Sequence, residues 1–344
     1  MKGVVFLGNR QLEVRDFPVP EPGHGEVLIK IIASGICGSD LHVYRGVHVP
    51  GQIAGHEPAG IVVAVGPGVC RVRVGDRVSV HHHEGCGVCQ HCARGETVAC
   101  STHHLCYGVN RPGSFAEYMA AAEANCIPIP ESASCEDGAF MACVGATAYA
   151  ALRRLEVTPH ESLAVFGLGP VGLSCVVVGK AMGLRVIGSD VSPARLEIAR
   201  ACGADSVVDA RSEDPVDAIR QFSRITGYPW QDGIDYVIET SGSTAARECM
   251  LPSIKRGGRI AIVGVGSTEK VINPSDIHGK AATVIGSVVF PLGWSWDFSR
   301  FIAASGLSFE PAVTHRFSLD QAEEALRVAD EGLGGKVIFA PHGV

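Results

Sequence analysis

The sequence predicts an α/β protein of two domains, one mostly β and one built on a doubly wound parallel sheet. Three observations predict it. The chain has 344 residues, more than the roughly 250–300 at which a single hydrophobic core stops growing. From about Pro159 onward, short apolar runs alternate with helical stretches, which is how a parallel sheet covered on both faces reads. Before that point the pattern is short Val/Ile-rich runs between turn residues. Hydrophobic residues make up 46% and charged residues 19%, the balance of a globular chain rather than a disordered one.

The first 80 residues read as β, with Val27–Ile32, Ile61–Val65 and Arg77–Val80 separated by Gly, Pro and Asp turns. Gly85–Cys106 is rich in Cys and His with little periodicity, so it reads as a lobe. Leu163–Phe166 is a short apolar strand. A Gly-rich turn and a helix to about Met182 follow it. Arg185–Ser189 is the next strand, Ser192–Cys202 a helix, and Ser206–Val208 a strand. Tyr236–Glu239 and Arg259–Val263 are later strands. Trp294 to about Ser305 and Leu319–Glu331 read as helices, and Gly335–Phe339 as a closing strand.

Charge narrows the partners. Lys and Arg total 29 against 36 Asp and Glu, a net charge of −7. No basic field is present to hold a polyanion, which argues against nucleic acid or an anionic membrane surface. The longest apolar run, Val171–Gly188, is interrupted by Lys180 and Arg185, so no membrane span is expected. The opening residues lack the long apolar core of a targeting segment. A cytoplasmic protein acting on a small molecule is the resulting expectation.

Gly167-Leu168-Gly169-Pro170-Val171-Gly172 is a G-x-G-x-x-G with an apolar strand before it and a helix after it. Asp190 ends the next strand, 18 residues beyond Gly172. Gly167 permits the tight turn, Gly169 lets backbone N–H groups approach a pyrophosphate, and Gly172 allows close helix–strand packing. The helix N-terminus favours the phosphates. The Asp190 carboxylate accepts from ribose hydroxyls and repels a 2′-phosphate, which favours NAD over NADP. The bland alternative makes Asp190 a helix N-terminal residue. Arg195 reads as a ribose or helix-surface contact.

The thirteen cysteines fit metal binding or burial better than a disulfide framework, because the number is odd and no secretion signal is expected. Cys86, Cys89, Cys92 and Cys100 fall within 15 residues. Four thiolates at that spacing wrap one tetrahedral Zn²⁺ with no open position, a structural rather than catalytic site. His81, His82 and His83 beside it read as surface or cleft-edge histidines.

Cys37-Gly38-Ser39-Asp40-Leu41-His42 and Gly55-His56-Glu57-Pro58-Ala59-Gly60 are the other chemically suggestive segments. Cys37 and His56 are ligand types suited to Zn²⁺, and Asp40 and Glu57 are carboxylates of the kind that orient a ligand histidine. With Gly66 and Gly75-Asp76-Arg77-Val78, these segments resemble the zinc-containing alcohol dehydrogenases of the medium-chain dehydrogenase/reductase family. The four-cysteine lobe and Gly167–Gly172 with Asp190 match the same family in the same order.

The resemblance implies a GroES-like, mostly-β catalytic domain (1–147 and 290–344, with the zinc lobe at 85–106). It implies a Rossmann coenzyme domain at 148–289. It implies two zinc ions per chain, one catalytic on Cys37, His56 and Cys143, and one structural. Cys143 alone would read as a small core residue. In the resemblance Glu57 stands behind the catalytic zinc, Asp40 supports His56, and Thr147 touches the nicotinamide. Ser39 passes a proton through the cofactor ribose to His42. Val263-Gly264-Val265 pairs with the carboxamide, and Lys336 approaches the pyrophosphate. The implied activity is hydride transfer between a primary or secondary alcohol and NAD, in a homodimer or homotetramer. Polyol and threonine dehydrogenases of that family usually carry Glu-Pro-Leu where this chain has Cys143-Val144-Gly145. They remain the alternative, as does a zinc-stabilised nucleotide-binding protein without turnover. Pocket residues are expected around His48, His103 and Phe290–Trp296.

Overall fold

The computed structural model describes residues 1–47, 51–102, 104–224 and 232–343. The expectations at His48 and His103 lie outside the described residues. The chain divides into two compact units, Met1–Ala146 with Val289–Val344, and Thr147–Val288.

The first unit is organised around the strand Glu26–Gly35. Its alternate residues Val27, Ile29 and Ile31 are fully buried, the two-residue period of a strand with one face in a core. They pack with Val62, Val78, Tyr107 and Met119. The sheet runs Val313–Phe317, Lys336–Phe339, Glu26–Gly35, Pro58–Val65, Arg77–Val80, Cys126–Pro128, and Tyr118–Ala122 also pairs with Glu26–Gly35. Only the first two of these strands pair in parallel. A second core lies under the hairpin Lys2–Gly8/Gln11–Asp16 and the helix Ala322–Asp330. There Phe115 meets Phe339 at 4.9 Å and Phe6 at 6.2 Å, edge to face. Such pairs add to the burial of their area.

The second unit is a six-stranded parallel sheet in the order Ser206–Asp209, Arg185–Asp190, Ser162–Phe166, Ile234–Glu239, Ile254–Ile262, Thr283–Gly286. In chain order this is 3-2-1-4-5-6. The order reverses between Ser162–Phe166 and Ile234–Glu239, where ligands of such sheets bind. Both of those strands are buried at every residue, because helices cover both faces.

Among the elements that differ from expectation are the helix Gly38–Arg45, inside a stretch expected as β, and two others. The strand Thr283–Gly286 was not anticipated. It is a short edge strand without a fully buried residue, so its apolar signal is weak. The expected helix Leu319–Glu331 is a 3₁₀ turn at Leu319–Gln321 followed by a helix at Ala322–Asp330. Ser318 and Gln321 form a capping box around that turn.

Replacing Phe115 by Ala should destabilise the first unit by about 3–5 kcal/mol. Denaturant unfolding monitored in that unit would show a lowered midpoint; an unchanged midpoint would remove Phe115 from the core.

Candidate active site

Sheet register brings the first two candidate ligands together. Ser34 pairs with Pro58, and the Gly35 N–H donates to the Glu57 carbonyl at 3.1 Å. Cys37 and His56 therefore lie at adjoining strand ends. Cys37 also caps the helix Gly38–Arg45. Cys143 ends the helix Cys135–Ala142, where the backbone leaves helical conformation (φ −149°, ψ −81°). That helix is started by a capping box between Ser134 and Asp137.

The result is one buried group. Ligand atoms of Cys37, His56, Glu57 and Cys143 all lie within 4.8 Å of one another. Asp40 ties two of these residues down. Its Oδ2 accepts from the Cys37 backbone N–H at 2.8 Å, and its Oδ1 pairs with His56 Nδ1 at 2.8 Å. With Nδ1 committed to Asp40, His56 presents Nε2 as its ligand atom. The Ser39 hydroxyl lies 3.4 Å from that Nε2. Ser39 and His42 are exposed on the same short helix. Thr147 is buried on the helix Val144–Arg154.

The electrostatics suit a cation. A hydrogen bond from Cys143 holds the Cys37 thiol well below its usual value against burial, helped by His56 and Lys336. The same bond and burial push Cys143 up. Burial would lower His56, but Asp40 and Cys37 outweigh it and hold the imidazole well above its usual value. Burial raises the Glu57 carboxyl to about 8, against the pull of Lys336. Glu57 Oε1 is buried without a hydrogen bond, while Oε2 is ion-paired with Lys336. Two sulfurs, an imidazole and a carboxyl in one buried group fit a divalent soft-to-borderline metal. Zn²⁺ is the match, because it deprotonates coordinating thiols.

Lys336, which the resemblance sends to the pyrophosphate, is completely buried. Its ammonium is ion-paired with Glu57 and donates to the Ile36 carbonyl at 2.9 Å. Strand pairing puts it there, since Ile338 lies opposite Gly35. Gly35 makes room for this pair, because a Cβ there would overlap the Glu57 carboxylate.

The lobe is a second group. Cys86, Cys89, Cys92 and Cys100 sulfurs lie within 4.8 Å of one another, with Cys86–Cys92 at 4.0 Å and Cys89–Cys100 at 3.9 Å. A tetrahedron with Zn–S bonds of about 2.3 Å has edges of about 3.8 Å, so the four sulfurs fit one ion. Backbone N–H groups of Cys86, Cys89 and Cys92 lie 3.3–3.5 Å from the sulfurs, a contact that favours thiolate charge.

The neighbouring histidines are also corrected. His81 and His82 are not at the surface but 1% and 3% exposed. His81 accepts from the His83 N–H at 3.2 Å and contacts the Phe290 carbonyl at 3.1 Å. His82 Nδ1 lies 2.8 Å from the Ala142 carbonyl, beside Cys143, and its ring centroid is 5.0 Å from that of His56. Burial and the adjacent histidines push His82 well below the usual imidazole range. His83 pairs with His104 at 2.8 Å and falls to about 3, chiefly by burial.

In the second unit, Gly167 has φ +86°, a region that favours glycine. A Cβ on Gly172 would overlap the Gly167 carbonyl, so the close approach is real. Nothing lies within 4 Å of a Cβ placed on Gly169, which leaves its surface open. Pro170 and Val171 begin the helix Pro170–Ala181. Asp190 accepts from the Leu168 N–H at 2.6 Å and the Ser192 N–H at 2.8 Å. The carboxylate thus fixes the loop itself. Asp190, Val191, Arg195, Pro215 and Ala246 line a cavity of about 440 Å³ next to Gly167, a size suited to a nucleoside.

Sequence reading missed Glu239 and Thr240 opposite this loop. Glu239 is fully buried and accepts from Ser241 N–H, Ser241 Oγ and Gly242 N–H at 2.6–2.7 Å. Thr240 Oγ1 donates to the Gly167 carbonyl at 2.7 Å. An acidic residue ending the fourth strand was the available signal. The N–H groups of Val263 and Gly264 both donate to the Glu239 carbonyl at 2.9 Å, and Val265 is exposed.

Comparison with known proteins agrees with this picture. Residues 23–131 match the alcohol dehydrogenase GroES-like domain, and residues 170–304 match the zinc-binding dehydrogenase domain. A zinc-type alcohol dehydrogenase-like protein of Escherichia coli, YphC, is 36% identical over 98% of both chains. An Escherichia coli L-threonine 3-dehydrogenase is 34% identical over 94% of this chain and 95% of its own. The structure of the alcohol dehydrogenase TADH from Thermus sp. ATN1 superposes with a TM-score of 0.89 at 30% identity, covering 99% of each chain.

Replacing Asp40 by Asn leaves one acceptor where two are needed. Metal affinity at the buried group should fall about 10- to 100-fold while the lobe keeps its ion. Chelator competition monitored by elemental analysis reads both, and unchanged affinity would show that Asp40 does not hold the ligands.

Proposed function

The chain belongs to the zinc-type alcohol dehydrogenase family, and on that premise we propose that it is an NAD-dependent alcohol dehydrogenase with two zinc ions. It interconverts a primary or secondary alcohol and its aldehyde or ketone. The observation that carries this reading is the buried convergence of Cys37, His56 and Cys143 beside Glu57. Cys37, His56 and Cys143 would hold the ion with two sulfurs and one nitrogen, a ligand set that would leave room for a substrate, the condition for catalysis rather than scaffolding. Cys86, Cys89, Cys92 and Cys100 hold the second ion and fold the lobe.

Bound zinc supplies Lewis acidity that lowers an alcohol's pKa, and NAD supplies the hydride acceptor. The chain's own residues do the rest. Asp40 holds His56 in the tautomer that presents Nε2. The Ser39 hydroxyl, next to that nitrogen, takes the alcohol proton. His42, exposed on the same helix, passes it to solvent. Glu57 and Lys336 cancel each other's buried charge, so a carboxylate stands beside two thiolates without an isolated charge. Gly167–Gly172 and the helix N-terminus take the pyrophosphate, and Asp190 and Arg195 face the adenosine ribose. Asp190 disfavours a 2′-phosphate. Thr147 and the Val263–Val265 backbone meet the nicotinamide end.

A second reading is an amino-alcohol or polyol substrate, favoured by the similarity to L-threonine 3-dehydrogenase and disfavoured by Cys143 where Glu-Pro-Leu is usual. A homodimer or homotetramer is part of the proposal.

Elemental analysis should give two zincs per chain; one would leave a lobe-only scaffold. A panel of primary, secondary and polyol alcohols followed by NADH absorbance should show turnover. Cys37→Ala should abolish turnover and reduce zinc to one per chain, with NAD binding nearly intact; equal loss of both would make Cys37 a folding residue.

Asp190→Gly should raise KM for NAD and narrow the preference over NADP, measured in matched steady-state assays. Unchanged cofactor kinetics would remove the ribose assignment.

A further inference from the structure

Arg247 has no role in the chemistry as proposed, yet its side chain ties a loop to the end of a strand. It stands on the helix Thr244–Ser253, and its backbone N–H donates to the Ser243 carbonyl at 3.2 Å. The side chain is 14% exposed. Its Nε faces Glu239 Oε2 at 3.5 Å. One terminal nitrogen donates to the Gly264 carbonyl at 2.9 Å, and the other to the Ser267 carbonyl. A guanidinium is a rigid, planar fork of donors. One side chain therefore holds two carbonyls and a carboxylate in a fixed relation.

The loop in question follows the strand Ile254–Ile262. Residues 263–273 form neither helix nor strand, so their backbone groups need local partners. Val263 and Gly264 spend their N–H groups on the Glu239 carbonyl, and the Ser267 N–H reaches the Gly242 carbonyl at 2.8 Å. The approach is close, since a Cβ on Gly264 would overlap the Gly242 nitrogen. Those bonds satisfy donors of the loop; Arg247 satisfies two of its acceptors. Glu239 is fully buried, and its Oε1 accepts from Ser241 and Gly242. A buried carboxylate calls for a paired cation, and Arg247 is the cation at Oε2. Glu239 thus anchors the loop twice, directly through its main chain and through Arg247 by its side chain.

We infer that Arg247 is a positioning residue for the nicotinamide end of the cofactor, acting through the Val263–Val265 backbone by fixing the Gly264 and Ser267 carbonyls against Glu239. The inference rests on the NAD reading and on the assignment of Val263–Val265 to that end. A reacting group misplaced by about 1 Å loses about 100-fold in rate. A slack loop should therefore be felt in kcat as well as in binding, and only by ligands that carry the nicotinamide.

The test compares NADH with ADP-ribose, the same nucleotide without its nicotinamide, on the zinc-loaded enzyme. Arg247→Lys keeps a cation for Glu239 but cannot span both carbonyls. In titration calorimetry it should weaken NADH by about tenfold and leave ADP-ribose within about twofold. The fluorescence of bound NADH, which reports the nicotinamide's surroundings, should shift, and kcat at saturating NAD should fall by about tenfold or more. Arg247→Leu removes all three contacts and should weaken NADH further than Arg247→Lys does. If Arg247→Leu does not fold, Arg247→Lys decides. Ala246, the preceding residue, lines the nucleoside cavity, so the ADP-ribose arm reads whether the helix itself has moved. Equal weakening of NADH and ADP-ribose in Arg247→Lys overturns the proposal, because the role is then purely structural. Unchanged NADH affinity in Arg247→Lys overturns it as well. Failure of wild type to bind either ligand defeats the NAD reading itself and takes the proposal with it, a result distinct from the other two.

Discussion

One carboxylate holds the first unit's site together. Asp40 binds the backbone of one candidate ligand, Cys37, and the imidazole of another, His56, each at 2.8 Å. Cys37 and His56 come from different strands, and only the sheet register brings those strand ends side by side. Register alone fixes backbone to within a residue. It does not choose which imidazole nitrogen is free. Asp40 makes that choice, and it does so while 5% exposed, where an unpaired carboxylate would be costly. Its two contacts therefore serve folding and chemistry at once.

The second unit uses carboxylates in the same way. Asp190 accepts from Leu168 and Ser192, and Glu239 from Ser241 and Gly242. Each ends a parallel strand beside the reversal in strand order. Backbone N–H groups in tight loops have no strand partner and must be satisfied locally. A carboxylate at the strand end satisfies two or three together. The glycine-rich loop is thus braced from its own sheet before any nucleotide arrives, and the helix N-terminus beyond it remains open to phosphate.

What the sequence made legible follows from how locally each feature is encoded. The lobe is encoded by spacing within one short segment, so Cys86, Cys89, Cys92 and Cys100 were readable as a ligand set without a fold. The glycine loop is likewise local, and its strand, turn and helix were in place. Cys37 and His56 were readable as types, but their meeting depends on strand pairing. Cys143 carried no local signal, and only the resemblance reached it. The burial of Lys336 was not legible, because nothing in the sequence announces that Glu57 will be buried beside it. His81 and His82 were misread for the same reason. A run of three histidines looks exposed until the Phe290 and Ala142 carbonyls are seen to meet their rings.

The buried charges explain why these misreadings cluster in one place. Around the three candidate metal ligands stand Asp40, Glu57 and Lys336, all 5% exposed or less. With a divalent ion and two thiolates the ligand set would be close to neutral, and Glu57 with Lys336 is neutral as a pair. Asp40 then shares its charge with the imidazole it orients. Such a group tolerates burial only as a whole, since removing any one member leaves an uncompensated charge in the core. A lysine that would be solvated on its own is held inside by the buried Glu57 carboxylate.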